Sequence, residues 1–545
     1  MHLSPSAHVD TFCRDHLPSP SEWPEFTFEL DDVQYPGRLN CGVELLDRVI
    51  AAHGGERPCL LSPDADPWSY DDLLRRSNQI ARLLVDDLGV VPGNRVLLRG
   101  PNNPWLVACW FGVLRAGAVA VTTMPLLRAG ELRTIGKIGS PALALSDHRF
   151  VDDLTKADVA GMRVVTYGGD GDDDLSRRID ALPTDFAPVD TAADDVALLA
   201  FTSGTTGRPK ATMHFHRDVL AIADTFSKHV LRPTADDVFT GTPPLAFTFG
   251  LGALVVFALR VGASTLLIEK ATPDQLADLI SHHRVSICST APTAYRAMIA
   301  SGRANALRTL RRAVSAGEHL PAATWEAFHE ATGVRLIDGI GSTEMLHIFI
   351  GSADDDIRPG STGRAVPGYT AAILDETGAA VPDGTSGRLA VKGPTGCRYL
   401  ADPRQAVYVQ HGWNITGDTF TRDADDYFWY QARSDDMIVS SGYNIAGPEV
   451  EEALLAHADV AECAVVAAPD PDRGNIVKAY VVLAPGALAD AAKAKELQDF
   501  AKASIAPYKY PRAVEFVDEL PKTATGKLQR FRLRQVAEAG EAAPA

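Results

Sequence analysis

The chain has no CxxC pair, no apolar run long enough for a bilayer and no surplus of basic residues, and each absence removes a class of function. Its seven cysteines (Cys13, Cys41, Cys59, Cys109, Cys288, Cys397 and Cys463) are odd in number and scattered. That distribution supports neither a disulfide framework nor a zinc site and reads as core or incidental thiols of a protein in a reducing cytoplasm. The longest apolar candidate, Phe247 to Leu259, stops at Arg260 and falls short of the ~20 residues a membrane helix needs. The N-terminus carries no basic segment followed by an apolar one, so no secretory signal is expected. With 52 Lys and Arg against 70 Asp and Glu, a net charge of −18, the chain lacks the clustered cations that phosphate backbones require. Neither nucleic acid nor membrane is expected as a partner, and no internal repeat is visible.

What is present is a large apolar inventory: 545 residues, 46% of them hydrophobic. Chains beyond about 250–300 residues divide into domains, so two or more are expected. The Pro- and acid-rich first forty residues are expected to wrap the surface. From there to about Ala200, apolar runs such as Arg95 to Leu98 and Ala118 to Thr122 alternate with helical patterns such as Tyr70 to Leu88. Residues 233–340 repeat the style, with strands at Ala263 to Ile268 and Val285 to Ser289 and helices at Pro273 to His283 and Pro292 to Ala300. Alternation of this kind predicts an α/β fold of layered, largely parallel sheets. After Arg358, short Gly- and Pro-punctuated runs (Ala371 to Leu374, Gly387 to Lys392, Tyr427 to Tyr430) predict antiparallel strands. A small α+β domain follows: helix Pro448 to Ala456, strands Ala461 to Ala468 and Ala479 to Leu483, helix Ala489 to Ala503 and a polar tail. The expected division is a multi-subdomain N-terminal domain, 1–433, and a small, mobile C-terminal domain, 434–545.

Chemistry concentrates in a few strings. In LLAFTSGTTGRPK (Leu198 to Lys210) an apolar strand empties into a loop of small residues. Gly204 and Gly207 let backbone N–H groups approach an anion, Ser203, Thr205 and Thr206 add hydroxyl donors, and Lys210 adds a point charge. This is a triphosphate-binding pattern. It is not a Walker A loop, which would place a hydroxyl residue directly after the lysine; here Pro209 precedes Lys210 and Ala211 follows it. DGIGSTEMLHIF (Asp338 to Phe349) sets Ser342, Thr343 and Glu344 after a glycine turn, hard oxygens suited to phosphate and Mg²⁺. TGD (Thr416 to Asp418), RSDDMIVSSGYNIAGPEVE (Arg433 to Glu451) and PKTATGKLQR (Pro521 to Arg530) complete an ordered set.

In this order and spacing the strings resemble the ANL superfamily of adenylate-forming enzymes, which unites acyl-CoA synthetases, adenylation domains and luciferases. DGIGSTEMLHIF and GRAVPGY (Gly363 to Tyr369) resemble the benzoate-CoA ligase branch. GCRYLADPRQAVYV (Gly396 to Val409) and SGYNIAGPEVEEALL are most similar to 2-aminobenzoate-CoA ligases. The resemblance implies an AMP-forming aryl-CoA ligase that uses ATP, CoA and Mg²⁺ on an aromatic acid; the alternative is a stand-alone adenylation enzyme loading a carrier-protein thiol. Self-association as a homodimer is left open.

Carried over position by position, the resemblance assigns Thr202, Ser203, Gly204, Thr205, Thr206, Gly207 and Lys210 to the ATP phosphates. Thr343 falls to the α-phosphate and Glu344 to the metal. Ala316, Gly317 and Glu318, with Asp338, Gly339, Ile340 and Gly341, would line the adenine slot. Asp418 and Arg433 would hold the ribose, and Lys527 would reach the α-phosphate and the acyl carboxylate. Asp435 would be the hinge, and Gly442 would lie along the CoA tunnel. Two positions depart from the family: Ala432 stands where glycine usually precedes the ribose arginine, and Tyr443-Asn444 where many synthetases carry a basic residue. PPLAFTFGLG (Pro243 to Gly252) would bring Phe247, Thr248 and Phe249 to the acyl pocket, joined by His347 and Ile348. A plain core role fits the two phenylalanines as well, and a hydrogen-bonded structural role fits the histidine. Where the benzoate branch usually has alanine and tyrosine, this chain has Thr248 and Phe249.

Overall fold

The structure, a computed structural model, describes residues 3–203, 209–433, 436–440, 443–470, 474–505, 509–522 and 528–539. Two parallel-rich sheets form the body. The first has six strands in the order Arg163–Tyr167, Leu143–Asp147, Arg95–Arg99, Val119–Thr123, Val196–Ser203 and Pro209–Phe215. All neighbours are parallel except the final hairpin. The three strands Arg95–Arg99, Val119–Thr123 and Leu143–Asp147 are buried along their whole length, because helices cover both faces of a parallel sheet. This is why they read as continuous apolar runs.

The second sheet has nine strands, parallel in the middle and antiparallel at both ends. At its centre Arg312–Ala316 runs parallel to Leu336–Gly341. The chemistry-bearing strings SAGE and DGIGSTE therefore leave the same edge of the sheet, at the C-terminal ends of adjacent strands, where α/β folds place ligands. Helix Pro292–Ala300 occupies the expected residues. Helix Pro273–His282 begins at Thr272, whose hydroxyl accepts from Gln275 N in a capping box. The apolar stretch Thr248–Leu251, Gly252–Val256 and Phe257–Arg260 is one buried helical segment with a wide π-type turn at its centre. Among the described residues no helix is long and apolar enough to cross a membrane.

A five-stranded antiparallel sheet, including Gly387–Lys392, Trp413–Arg422 and Phe428–Arg433, follows. The last described segments form a three-stranded sheet (Val460–Asp470, Gly474–Leu483, Ala513–Phe516) packed by helices Gly447–Leu455 and Ala491–Ser504 around Val450, Leu454, Val465 and Val481.

Two expectations need correction. The first forty residues do more than wrap the surface: Cys13 and Trp23 enter a core cluster, with the Trp23 ring 6.2 Å from Phe215. The polar tail also contains a strand, Ala513–Phe516, and a helix, Arg530–Ala539, anchored by the buried Leu533. All seven cysteines are free and buried, as their scatter predicted.

Candidate active site

Strand Pro209–Phe215 is the wall against which the site is assembled. Alternation along a strand places Lys210, Thr212 and His214 on one face. Two of the three meet the turn after strand Leu336–Gly341. Lys210 Nζ lies 3.0 Å from Glu344 Oε1, and His214 Nε2 donates to the Thr343 carbonyl at 2.8 Å. The same wall carries a third segment: Met213 N donates to Arg398 O at 2.8 Å and Leu400 N to Ala211 O at 2.9 Å. Tyr399, between them, is thereby placed over the turn. Its hydroxyl accepts from Lys210 and donates to Glu344 Oε1. Lys210 Nζ sits 4.3 Å above the Tyr399 ring and 5.4 Å from that of Tyr408, whose hydroxyl is 3.1 Å from Ser342 Oγ.

Glu344 is buried, and burial alone would raise its carboxyl; the Lys210 charge and the Tyr399 and Lys210 hydrogen bonds outweigh it, so the group is held below its ordinary value and stays ionised. Burial and the Glu344 charge push Tyr399 upward, so its hydroxyl keeps its proton. Behind the wall, Arg398 and Asp218 form a fully buried ion pair at 2.8 Å. Asp218 also accepts from Phe215 N and faces His214 Nδ1 at 3.9 Å. A line of polar groups thus runs from Arg398 through Asp218 and His214 to the carbonyl of Thr343.

The described residues among those expected to bind nucleotide lie in three places on the sheets. Thr202 is the register partner of Lys210 and Ser203 of Pro209. Ala316 pairs with Gly339 and Ser315 with Asp338, and Gly317 and Glu318 follow directly after that strand. Gly317 has φ +92°, a left-handed conformation that glycine takes without strain. A Cβ on Gly341 would lie 2.6 Å from His347 O, so that position too requires glycine. Burial raises the Asp338 carboxyl well above its usual value against a Thr362 hydrogen bond. Asp418 and Arg433 are cross-strand partners with Arg433 Nη1 3.1 Å from Asp418 Oδ1. Ala432, the departure from the family pattern, is fully buried and pairs with Thr419. Gly204, Thr205, Thr206, Gly207, Asp435, Gly442 and Lys527 lie outside the described residues.

The segment expected at the acyl pocket meets the turn through rings. Leu346 has φ +70°, an uncommon left-handed residue of the kind found at functional sites, and it turns His347 inward. The His347 ring lies 4.5 Å from Phe257, 5.5 Å from Phe249 and 5.6 Å from Phe226. Both ring nitrogens are buried and neither meets full hydrogen-bond geometry, while the Phe249 main chain lies close enough to favour the charged ring. Burial, opposed by the Phe249 main chain, pushes its pKa down to about 3, which leaves the ring neutral. Thr248 is buried and Phe247 half-buried at the start of the same helix, and Ile348 packs over Gly339. The Thr248 hydroxyl is not bonded to His347.

A Cβ added to Gly252 would meet His347 Cδ2 at 2.3 Å, closer than any real contact, so Gly252→Ala must displace the imidazole. In the acyl-pocket role that the resemblance implies for His347, the expected result is an acid KM raised about tenfold, with the ATP KM within twofold of the parent, because one displaced polar contact is worth ~1–1.5 kcal/mol. Steady-state titration of each substrate reads this, and an equal rise in both constants would contradict the placement.

Residues 46–399 match the family model for the AMP-binding enzyme, and residues 449–527 match that for the AMP-binding enzyme C-terminal domain. The chain belongs to the AMP-binding enzyme family. Within it, the chain is 35% identical to a benzoate–CoA ligase of Thauera aromatica, over 92% of this chain and 97% of that protein. Among solved structures it is similar to the anthranilate CoA ligase AuaEII in complex with anthranoyl-AMP (34% identity, TM-score 0.89, 94% of this chain and 99% of that one). It is similar also to a benzoate CoA ligase from Burkholderia xenovorans LB400 (33% identity, TM-score 0.82, 91% and 100%). The two-part architecture of this AMP-binding enzyme, parallel-rich sheets followed by a small α+β unit, is the fold of those ligases.

The sequence reading missed Tyr399, Tyr408 and His214 as site residues. His214 had a usable signal, four positions after Lys210 on a strand and so on its face. The tyrosines had none in local spacing.

Proposed function

We infer that this chain is an AMP-forming aryl-acid–CoA ligase. An aromatic carboxylate attacks the α-phosphorus of ATP and expels pyrophosphate; the CoA sulfur then attacks the acyl carbon and AMP leaves. The observation that carries the reading is the Lys210–Glu344–Tyr399 cluster beside Thr343, with Glu344 three residues before the phenylalanine-ringed His347, in a chain similar over nearly its whole length to benzoate- and anthranilate-CoA ligases.

In this reading Lys210 and Thr202 to Gly207 receive the triphosphate, Thr343 donates to the α-phosphate, and Ala316 to Glu318 with Asp338 to Gly341 enclose adenine. Asp418 and Arg433 meet the ribose as acceptor and forked donor. The donor set fits Mg²⁺: Glu344 is a buried carboxylate kept ionised, a hard-oxygen ligand. Bound there, the ion would offset triphosphate charge. The protein positions rather than forms covalent intermediates. The domain division falls at 433/434, with Asp435 as pivot, Lys527 delivered for the first half-reaction and the Gly442 loop beside CoA for the second.

The test is acid-dependent pyrophosphate release over a panel of benzoates, with and without CoA. Aryl-CoA formation coupled to AMP release supports the reading; adenylation with no CoA consumption, but transfer to a carrier-protein thiol, would replace it with a loading enzyme. We expect 2-aminobenzoate to have a higher kcat/KM than benzoate, since His347 is held neutral and Thr248 adds a hydroxyl near the same segment. A site that hydrogen-bonds a substrate NH discriminates against the analogue lacking it. Thr248→Ala should narrow the preference by lowering 2-aminobenzoate turnover more than benzoate turnover. Equal efficiencies in the parent enzyme would count against this assignment of the acid.

A further inference from the structure

Lys210 is needed in two places that it cannot occupy at once. As a phosphate ligand it must reach into the triphosphate loop, yet here its ammonium lies 3.0 Å from Glu344 and against the Tyr399 hydroxyl. When the ammonium moves to phosphate, Glu344, 6% exposed, loses its counter-charge at the moment its geometry matters. Lysine has donors only, so the single proton of the Tyr399 hydroxyl has one destination, Glu344 Oε1. Tyr399 itself cannot follow Lys210. Its neighbours Arg398 and Leu400 are hydrogen-bonded to strand Pro209–Phe215, its own N–H donates to Gln405 Oε1 at 2.9 Å, and Arg398 is fixed by the buried pair with Asp218.

We propose that Tyr399 is a positioning residue for the adenylation step: its hydroxyl holds the Glu344 carboxylate in place for Mg²⁺ while Lys210 leaves for the triphosphate, and receives Lys210 again when pyrophosphate has gone. The proposal rests on the reading of Glu344 as the metal-holding carboxylate. Lys210 and Glu344 thereby neutralise each other between turnovers, and the tyrosine keeps the acid aimed when the pair opens.

The test is calorimetric binding of ATP to the full chain, in EDTA and across a Mg²⁺ titration, for the parent, Tyr399→Phe, Glu344→Gln and the double variant. Phenylalanine keeps the ring on which Lys210 rests and removes only the hydroxyl. Loss of one hydrogen bond to a charged group corresponds to about tenfold. Tyr399→Phe is expected to leave metal-free ATP affinity within twofold and to reduce the Mg²⁺-dependent gain about tenfold. In the Glu344→Gln background it should cause no further loss, because the two act as one unit. A purely structural tyrosine would weaken both affinities alike, and that result overturns the proposal. So does a Mg²⁺ gain lost in Glu344→Gln but intact in Tyr399→Phe, or losses that add in the double variant; these leave the reading of Glu344 standing. A Mg²⁺ gain unchanged by Glu344→Gln removes that reading first and the role of Tyr399 with it.

Discussion

Replacement of Lys527 by alanine is expected to slow acid-dependent pyrophosphate release by about 10²–10³, the value of one transition-state donor, while thioester formation from added acyl-adenylate and CoA stays within a few-fold of the parent enzyme. The asymmetry follows from where charge develops. In the first half-reaction an anionic carboxylate approaches an anionic α-phosphate; in the second a thiol meets a neutral acyl carbon with AMP as a good leaving group. Lys210 is not expected to replace the lost cation, because the proposed reading assigns it to the outer phosphates once it has left Glu344. The residues on either side of positions 523–527 are fixed: Lys522 and Leu528 bridge to each other, Gln529 N donates to Pro521 O at 2.8 Å, and Lys522 pairs with Glu462 at 2.6 Å. Truncating one side chain between them leaves that clamp intact. Rapid-quench single-turnover assays of each half separate the outcomes, and equal slowing of both would remove the assigned role.

The second large effect is on stability. Arg398→Met should destabilise the N-terminal body by about 3–5 kcal/mol, the penalty for leaving one partner of a buried ion pair without the other. Both side chains are fully buried, and the guanidinium also lies 3.9 Å over the Phe215 ring. Adding Asp218→Leu should restore part of the loss, limited by the hydrogen bond that Asp218 accepts from Phe215 N. Urea midpoints read both. The pH dependence has a definite sign. In the parent, burial raises the Asp218 carboxyl but the Arg398 charge and His214 lower it further, so its native value lies below the ordinary one. Its contribution is therefore fully present above about pH 4 and lost as pH falls through the lower native value. In Arg398→Met the burial acts unopposed by that charge and the carboxyl rises. The stability gap between parent and variant should accordingly be widest near neutral pH and shrink on acidification; a gap independent of pH would exclude Asp218 as its source.

Much of the fold was legible because it rests on local pattern. Strands such as Val196–Ser203 and Gly387–Lys392 and the helix Pro292–Ala300 carry apolar runs, turn residues and capping signals within a dozen positions. Strand Ala513–Phe516 was not legible, since each of its residues is only half-buried and it exists as the parallel partner of Gly474–Leu483. Helix Arg530–Ala539 is polar around most of its surface and is held by Leu533 against a neighbouring cluster. The N-terminal segment looked like a surface wrap because the ring that buries Trp23 belongs to Phe215, far along the chain.

The order of the strings from Leu198 to Arg530 was enough, by itself, to determine the family, the nucleotide chemistry and the two-part architecture, because those depend on residue types at short spacing. Tertiary structure alone decided which groups share a charge. Tyr399 is 189 residues from Lys210 and 55 from Glu344, and Arg398 is 180 from Asp218. It also set His347 among three phenylalanine rings. Contacts at such separations come from sheet order and crossover connections. Their strength depends on how completely the packed layers exclude water, and neither property is written in any local stretch of residues.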